Sequence, residues 1–371
     1  MRVLIAVTHL LGAGHLSRAL TLARAFAAAG HGVRVASGGM PVPQFPTGGV
    51  ELVQLPPVRS DGTDFARLLG ADGVPVDAAL MAARRARLAG LVEEFAPDVV
   101  ITELFPFGRR VLADEFLALL AAAEAMGRRP VILASVRDIL APPKKPGRAE
   151  KTEALVMAHY DGVLVHSDPA TMPLEVSWPV SDLLRSRLRY TGFVAPPAPG
   201  PHPEGLGTGE VLVSAGGGAV GRQVFDMALA AAAGDGRRWR LLSGGAVPEA
   251  VVPGNACVEP ARPDFRAMLT GAAGSVSLCG YNTALDILQT GVPAVLVPFD
   301  EGGEVEQGLR AKGLARLPGI RVVAAGELTP GALLGALAAA CADPRRAVPA
   351  TGFDGAAQSV AIAAAMAEAR G

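Results

Sequence analysis

Short apolar runs alternate with longer amphipathic stretches along almost the whole chain, a pattern that predicts parallel sheets with crossover helices. Residues 2–8 read as a first strand and 16–29 as a helix stopped by Gly30-His31-Gly32, with a second strand at 33–37. Residues 98–102 and 131–135 are later strands, each preceded by proline (Pro97, Pro130), with a helical stretch at 108–126 between them and a short strand at 163–165. Residues 38–77, rich in Pro and Gly, are the least regular and are expected to form surface loops. The segment 195–209, APPAPGPHPEGLGTG, can continue neither helix nor sheet and reads as a semi-rigid linker. Beyond it the alternation restarts with strand 210–214, a Gly-rich loop at 215–221, a helix from 222 and a strand at 239–243.

A chain of 371 residues exceeds what one core usually supports. The expected architecture is α/β, with two doubly wound halves: residues 1–195, a linker 196–209, and residues 210–371. Two such halves imply a cleft lined by strand ends, where ligands bind. The 34 basic and 35 acidic residues nearly cancel, so no broad basic field exists to attract nucleic acid. Three widely spaced cysteines (Cys257, Cys279, Cys341), with no CxxC, read as buried thiols in a reducing cytoplasm. The apolar start, Met1 to Leu11, is interrupted by Gly12-Ala13-Gly14-His15, which favours strand-loop-helix over a signal peptide. No apolar run reaches the roughly 20 residues of a membrane span; peripheral membrane contact is left open.

The candidate chemistry lies where strands end. Gly216-Gly217-Gly218-Ala219-Val220-Gly221 spells G-x-G-x-x-G between a strand and a helix, which lets backbone approach a diphosphate at a helix N-terminus. The acid that would hold an NAD ribose is missing, because the next strand ends Leu242-Ser243-Gly244-Gly245. A plain tight turn is the competing reading. In the first half, Gly12-Ala13-Gly14-His15 puts His15 at the start of a helix, where it could take a proton from a hydroxyl or simply cap or pack. Glu103, Arg109, Arg137 and Asp138 follow predicted strands, fit for sugar hydroxyls or proton transfer, or for an ion pair that fixes the loops. The densest stretch is 277–311. There a strand runs into Gly280, a helix carries Asn282, Thr283 and Asp286, a second strand ends at Pro298, and an acidic loop leads to Glu306-Gln307. The Asp286 carboxylate could accept two ribose hydroxyls. Asp300-Glu301 would suit a metal, but no D-x-D is present and a solvated loop is the simpler reading.

These residues resemble the GT-B glycosyltransferases of the family 28 (MurG-like) group, including bacterial glycosyltransferases with that C-terminal domain. The motifs that carry the resemblance span nearly the whole chain: residues 12–15, Glu103 to Arg110, Ser135 to Leu140, Val165 to Pro169, Tyr190 to Phe193, the loop 214–221, and the block 277–311. The resemblance implies two Rossmann-like domains facing each other across a cleft, with the last helix (about 355–369) packed back on the first half. It implies a cytoplasmic hexosyltransferase using a nucleoside-diphosphate sugar, UDP-linked by preference, without metal or cofactor and with inversion. The acceptor (a small molecule, glycan or lipid-linked) is not specified. By the same resemblance, Gly216, Gly217 and Gly218 lie near the diphosphate with Gly280, Asn282 and Thr283. Asp286 holds the ribose, Glu306-Gln307 contact the sugar, and Gly12 and Gly14 flank the acceptor with Arg109 and Arg137. His15 is the base, or Glu103 or Asp138 in its place. This chain departs from the group in having Asp286 where Glu is common and fewer glycines in its first loop. A sugar-nucleotide epimerase and a non-catalytic sugar-nucleotide or glycan binder share the same scaffold.

Overall fold

The computed structural model describes residues 1–371 apart from 11–12, 44, 46, 62–63, 216–218, 245–250, 300–304, 348–351 and 371; for 64–66 and 219–220 only backbone is described. Two compact units form, Met1–Val194 with Asp354–Gly371, and Ala195–Phe353.

The first unit contains, in order, β1 (Arg2–Val7), α1 (Gly14–Ala28), β2 (Gly32–Ser37), β3 (Glu51–Gln54), β4 (Arg59–Asp61), β5 (Asp64–Leu69) and α2 (Ala78–Phe95). There follow β6 (Val99–Glu103), α3 (Ala113–Glu124), β7 (Val131–Arg137), α4 (Arg148–His159), β8 (Gly162–His166), α5 (Asp182–Arg187) and β9 (Leu188–Tyr190). Seven of these strands form one sheet in the order β3-β2-β1-β6-β7-β8-β9, every pair parallel. Strands β6 and β8 are buried along their whole length, as a sheet covered on both faces requires. One face carries the α2–α3 layer through Leu88, Leu91, Phe116 and Leu119. The other carries α1, through Leu16, Leu20, Ala23 and Phe26, and the terminal helix Gly355–Glu368 through Ala363.

Residues 38–77 are more ordered than the sequence suggests. They hold β3 at the sheet edge and the antiparallel β4–β5 pair, and Leu55, Val58 and Leu68 are buried in the core. Strands of three to six residues broken by Gly and Pro are too short to show a period. The helix expected over 108–126 is shorter, because Arg109 is left-handed (φ 58°) and a 3₁₀ turn, Arg110–Leu112, precedes α3.

The second unit repeats the plan with β10 (Glu210–Ala215), α6 (Ala219–Ala233), β11 (Arg238–Ser243), β12 (Ala256–Pro260), α7 (Phe265–Gly271), β13 (Gly274–Ser277) and α8 (Tyr281–Thr290). It ends with β14 (Ala294–Leu296), α9 (Glu306–Leu314), β15 (Ile320–Val322) and α10 (Pro330–Ala342). The sheet runs β12-β11-β10-β13-β14-β15, again all parallel, with α6 and α10 packed on one face. Of the cysteines only Cys279 is buried, so the expectation of three buried thiols is corrected: Cys257 lies on edge strand β12 and Cys341 near the end of α10. Among the described residues no helix is long and apolar enough to cross a membrane.

Candidate functional site

Each sheet reverses its strand order once, between β1 and β6 in the first unit and between β10 and β13 in the second. Crevices at such switch points, outside the carboxyl ends of the strands, are where open α/β sheets bind ligands.

At the first of these points, His15 occupies the opening turn of α1 and Glu103 ends β6. His15 Nδ1 lies 3.0 Å from Glu103 Oε1 and 3.1 Å from an Arg18 Nη. Arg18 also pairs directly with the same carboxylate. Glu103 is 1% exposed. Burial would push its pKa up, but the Arg18 guanidinium and the His15 hydrogen bond pull it well below the usual carboxylate range. Burial lowers His15 to about 3, helped by the charges of Arg18 and Arg109 and opposed by Glu103. An ionised carboxylate can only accept, so Nδ1 carries the proton and Nε2 presents its lone pair. No partner for Nε2 is found among the described residues.

Glu103 reaches further inwards. Ser135 Oγ donates to its Oε2 at 2.5 Å, and Ser135 Oγ lies 2.9 Å from His166 Nε2. His166 Nδ1 is in turn 2.9 Å from Thr191 Oγ1. The motifs at 135, 166 and 191 thus meet in one buried polar chain. Arg109 joins the edge by donating from Nε to Thr8 O at 2.6 Å, and burial lowers its pKa to about 10. Arg137 donates to Ile139 O at 3.1 Å, and Asp138 is buried. Two expectations change. Glu103 pairs with Arg18 and His15, so the ion pair contemplated with Arg137-Asp138 is not the one that fixes it. At 1% exposure Glu103 also cannot meet an acceptor hydroxyl; it stands behind His15 rather than in its place. Gly14 opens α1, whereas Gly12 lies outside the described residues.

In the second unit a cavity of about 330 Å³ opens at the β10/β13 switch point. Its lining includes Ala215, Leu242, Phe265, Leu278, Gly280, Thr283 and Gln307, with Arg262 at one wall. Arg262 is held by both oxygens of Asp264, at 2.8 and 2.7 Å. Gly280 caps α8 without a side-chain hydrogen bond. Cys279, just before it, is held at both backbone groups, since Cys279 N donates to Gln307 Oε1 (3.1 Å) and Arg310 Nη1 donates to Cys279 O (3.0 Å). Phe299 N also donates to Gln307 Oε1, at 3.2 Å. The Gln307 oxygen therefore ties the ends of β13 and β14 together, and among the described residues no acceptor for its amide N–H₂ is found. Asp286 Oδ1 accepts a hydrogen bond from Arg266 Nε at 2.6 Å. Burial raises the Asp286 pKa against that hydrogen bond. Asn282 is exposed on the first turn of α8 and Glu306 is half-buried at the start of α9; neither they nor Asp286 lie among the described lining residues. Gly216, Gly217, Gly218 and the Asp300-Glu301 pair fall outside the described residues.

Sequence reading missed Arg18, Phe265, Arg262 and Arg266. Arg18 was within reach, since three residues on from His15 is the same helix face. The others sit on a strand end and a short helix whose partners are distant in sequence.

No protein-family model matches the chain. It is 35% identical over 145 residues to the UDP-N-acetylglucosamine–N-acetylmuramyl-(pentapeptide) pyrophosphoryl-undecaprenol N-acetylglucosamine transferase of Brucella anthropi. That match covers 35% of this chain and spans 38% of the length of the relative. Among solved structures, CalG4, the calicheamicin glycosyltransferase, superposes with a TM-score of 0.62 at 16% identity over 100% of this chain and 98% of that one. MurG of Acinetobacter baumannii gives 0.62 at 15% identity, covering 99% of this chain and 100% of its own. The glycosyltransferase VinC, solved with dTDP, gives 0.62 at 17% identity, covering 98% and 95%. The chain therefore has the GT-B fold of the glycosyltransferases, and it resembles the MurG-like group both in sequence and in structure.

Proposed function

We propose that this chain is a glycosyltransferase that moves a hexosyl group from a nucleoside-diphosphate sugar to an acceptor hydroxyl, without a metal and with inversion. The observation that carries the reading is His15 at the β1/β6 switch point, hydrogen-bonded at 3.0 Å to a buried, ionised Glu103. A neutral imidazole backed by an anion can take a proton from a hydroxyl, and the positive charge it gains is stabilised by that anion. In the proposed step the acceptor O–H gives its proton to Nε2 while its oxygen bonds to the anomeric carbon. The bond from that carbon to the diphosphate oxygen breaks, and the nucleoside diphosphate leaves with the electron pair. The donor nucleoside is assigned to the second-unit cavity, with Phe265 as an apolar wall and the Gln307 Nε2 amide protons as donors. Backbone N–H groups of the loop after β10 and the N-terminus of α6 are assigned to the leaving diphosphate.

UDP is the first nucleotide to test, since the relative with sequence similarity is named for a UDP-sugar; dTDP is second, because VinC was solved with it. The test is a thermal-shift panel of UDP, dTDP, GDP, CDP and NAD without added metal. A ligand at 100 times its Kd stabilises the fold by about 2.7 kcal/mol, a shift of several degrees. A response to one nucleoside diphosphate is expected, and it selects the sugars to assay for nucleotide release. Stabilisation by NAD alone would overturn the proposal, as would donor binding without transfer to any acceptor.

A further inference from the structure

Beyond the base and its partner, the first unit buries a histidine that the proposed reaction never touches. His166 is 0% exposed at the end of β8, with one ring nitrogen 2.9 Å from Ser135 Oγ and the other 2.9 Å from Thr191 Oγ1. Ser135 is equally buried, and Thr191 is 3% exposed. Each of these groups has too few protons to donate both ways, so the chain has only two self-consistent arrangements.

In one, every donor points towards Glu103. Thr191 O–H donates to His166 Nδ1, His166 Nε2–H donates to Ser135 Oγ, and Ser135 O–H donates to Glu103 Oε2. This requires an ionised Glu103. In the other, Thr191 O–H turns to Gly192 O (2.8 Å) or Val165 O (3.3 Å), His166 carries its proton on Nδ1, and Ser135 O–H donates to His166 Nε2. The Ser135–Glu103 contact of 2.5 Å then has no proton unless Glu103 is protonated. A protonated Glu103 would lose its charge partnership with Arg18 and its claim on the His15 Nδ1 proton. Arg18 keeps the carboxylate ionised at one end and the Thr191 hydroxyl satisfies His166 Nδ1 at the other, so the two ends together select the first arrangement, in which every group of the chain has a partner.

We propose that His166 and Thr191 are positioning residues, which orient the Ser135 proton onto Glu103 and so hold His15 with its proton on Nδ1 and its lone pair on Nε2. They act through two intermediaries and touch no substrate. This rests on the reading of His15 as the base, yet the arrangement of protons exists without any substrate.

The experiment is therefore a ¹⁵N NMR measurement of the histidine tautomers in the full, ligand-free chain, with His15→Gln and His166→Asn used for assignment. In the wild type, His15 is expected as the Nδ1–H form and His166 as the Nε2–H form. Thr191→Val, which keeps shape and removes the donor, should convert His166 to a mixture and lower the Nδ1–H fraction of His15. Thr191→Ser should restore both. Once a donor and acceptor are found, Thr191→Val should lower kcat about tenfold with donor KM unchanged. A wild-type His166 protonated on Nδ1, or an unchanged His15 tautomer in both Thr191→Val and Ser135→Ala, would overturn the proposal. The predicted tautomers with no transfer to any acceptor would instead uphold this inference while refuting the function it was built on.

Discussion

Mild acid should destabilise the first unit, and the size of the effect follows from two histidines, the half-buried His15 and the fully buried His166. His15 and His166 each have a pKa lowered by burial to about 3, against an ordinary value of 6.5. Below 6.5 the unfolded chain binds a proton at each position that the folded chain refuses until about 3, so stability falls as pH falls through that window. Each histidine contributes about 1.4 kcal/mol per pH unit while this holds. Their shared neighbours, Arg18 and Glu103, couple them, so about 5 kcal/mol between pH 6 and 4 is a ceiling for the pair. A domain has roughly 5–15 kcal/mol in total, so a fall in Tm of about ten degrees is expected. Trp178, buried against Phe107 at 5.2 Å, reports the first unit alone once Trp239 is replaced by Phe. Its fluorescence melt should be followed from pH 7.5 to 4 in Trp239→Phe and in the same background with His15→Gln or His166→Asn. Each histidine removed should flatten the dependence by up to about 1.4 kcal/mol per pH unit. A Tm that does not move between pH 6 and 4, or a slope indifferent to both substitutions, would refute the assignment of these rings as neutral in the folded chain.

His15→Gln should lower kcat by about 10²–10⁴ while leaving nucleoside-diphosphate affinity by calorimetry unchanged; equal losses in both would remove it as the base. Arg84 and Glu115, 0% and 1% exposed, form a two-point ion pair at 2.8 and 2.7 Å that also holds Gly38 O at 2.8 Å. Arg84→Met should cost about 3–5 kcal/mol in urea denaturation by stranding the Glu115 charge, and Arg84→Met/Glu115→Leu should recover most of it. If Asp286 binds ribose in spite of Arg266, Asp286→Ala will weaken nucleoside-diphosphate binding, whereas a structural pair predicts that Asp286→Ala and Arg266→Ala lower Tm alike and leave affinity unchanged. Gly291, left-handed at φ 65° and closely approached by Arg346 O, should lose about 1 kcal/mol or more on change to Ala, read as a lower Tm.

The alternating apolar runs were enough to give two parallel α/β halves and to place His15, Glu103 and Gly280 at strand ends, because period and punctuation are local properties of a chain. Residues 38–77 escaped that reading, since three short strands interrupted by Gly and Pro leave no period to see. The strand orders, which make β1/β6 and β10/β13 the switch points, are set by long-range pairing that no local pattern encodes. Partners were decided the same way. Asp286 looked like an open carboxylate until α7 brought Arg266 to 2.6 Å. Glu103, by its place after a strand, reads as fit for sugar hydroxyls, proton transfer or an ion pair, yet the sheet buries it and gives it Arg18, His15 and Ser135 together. Which residue types stand at the ends of the strands is written in the sequence; which of them are charged, and towards what, depends on burial and on neighbours tens of residues away, and only the tertiary structure supplies those.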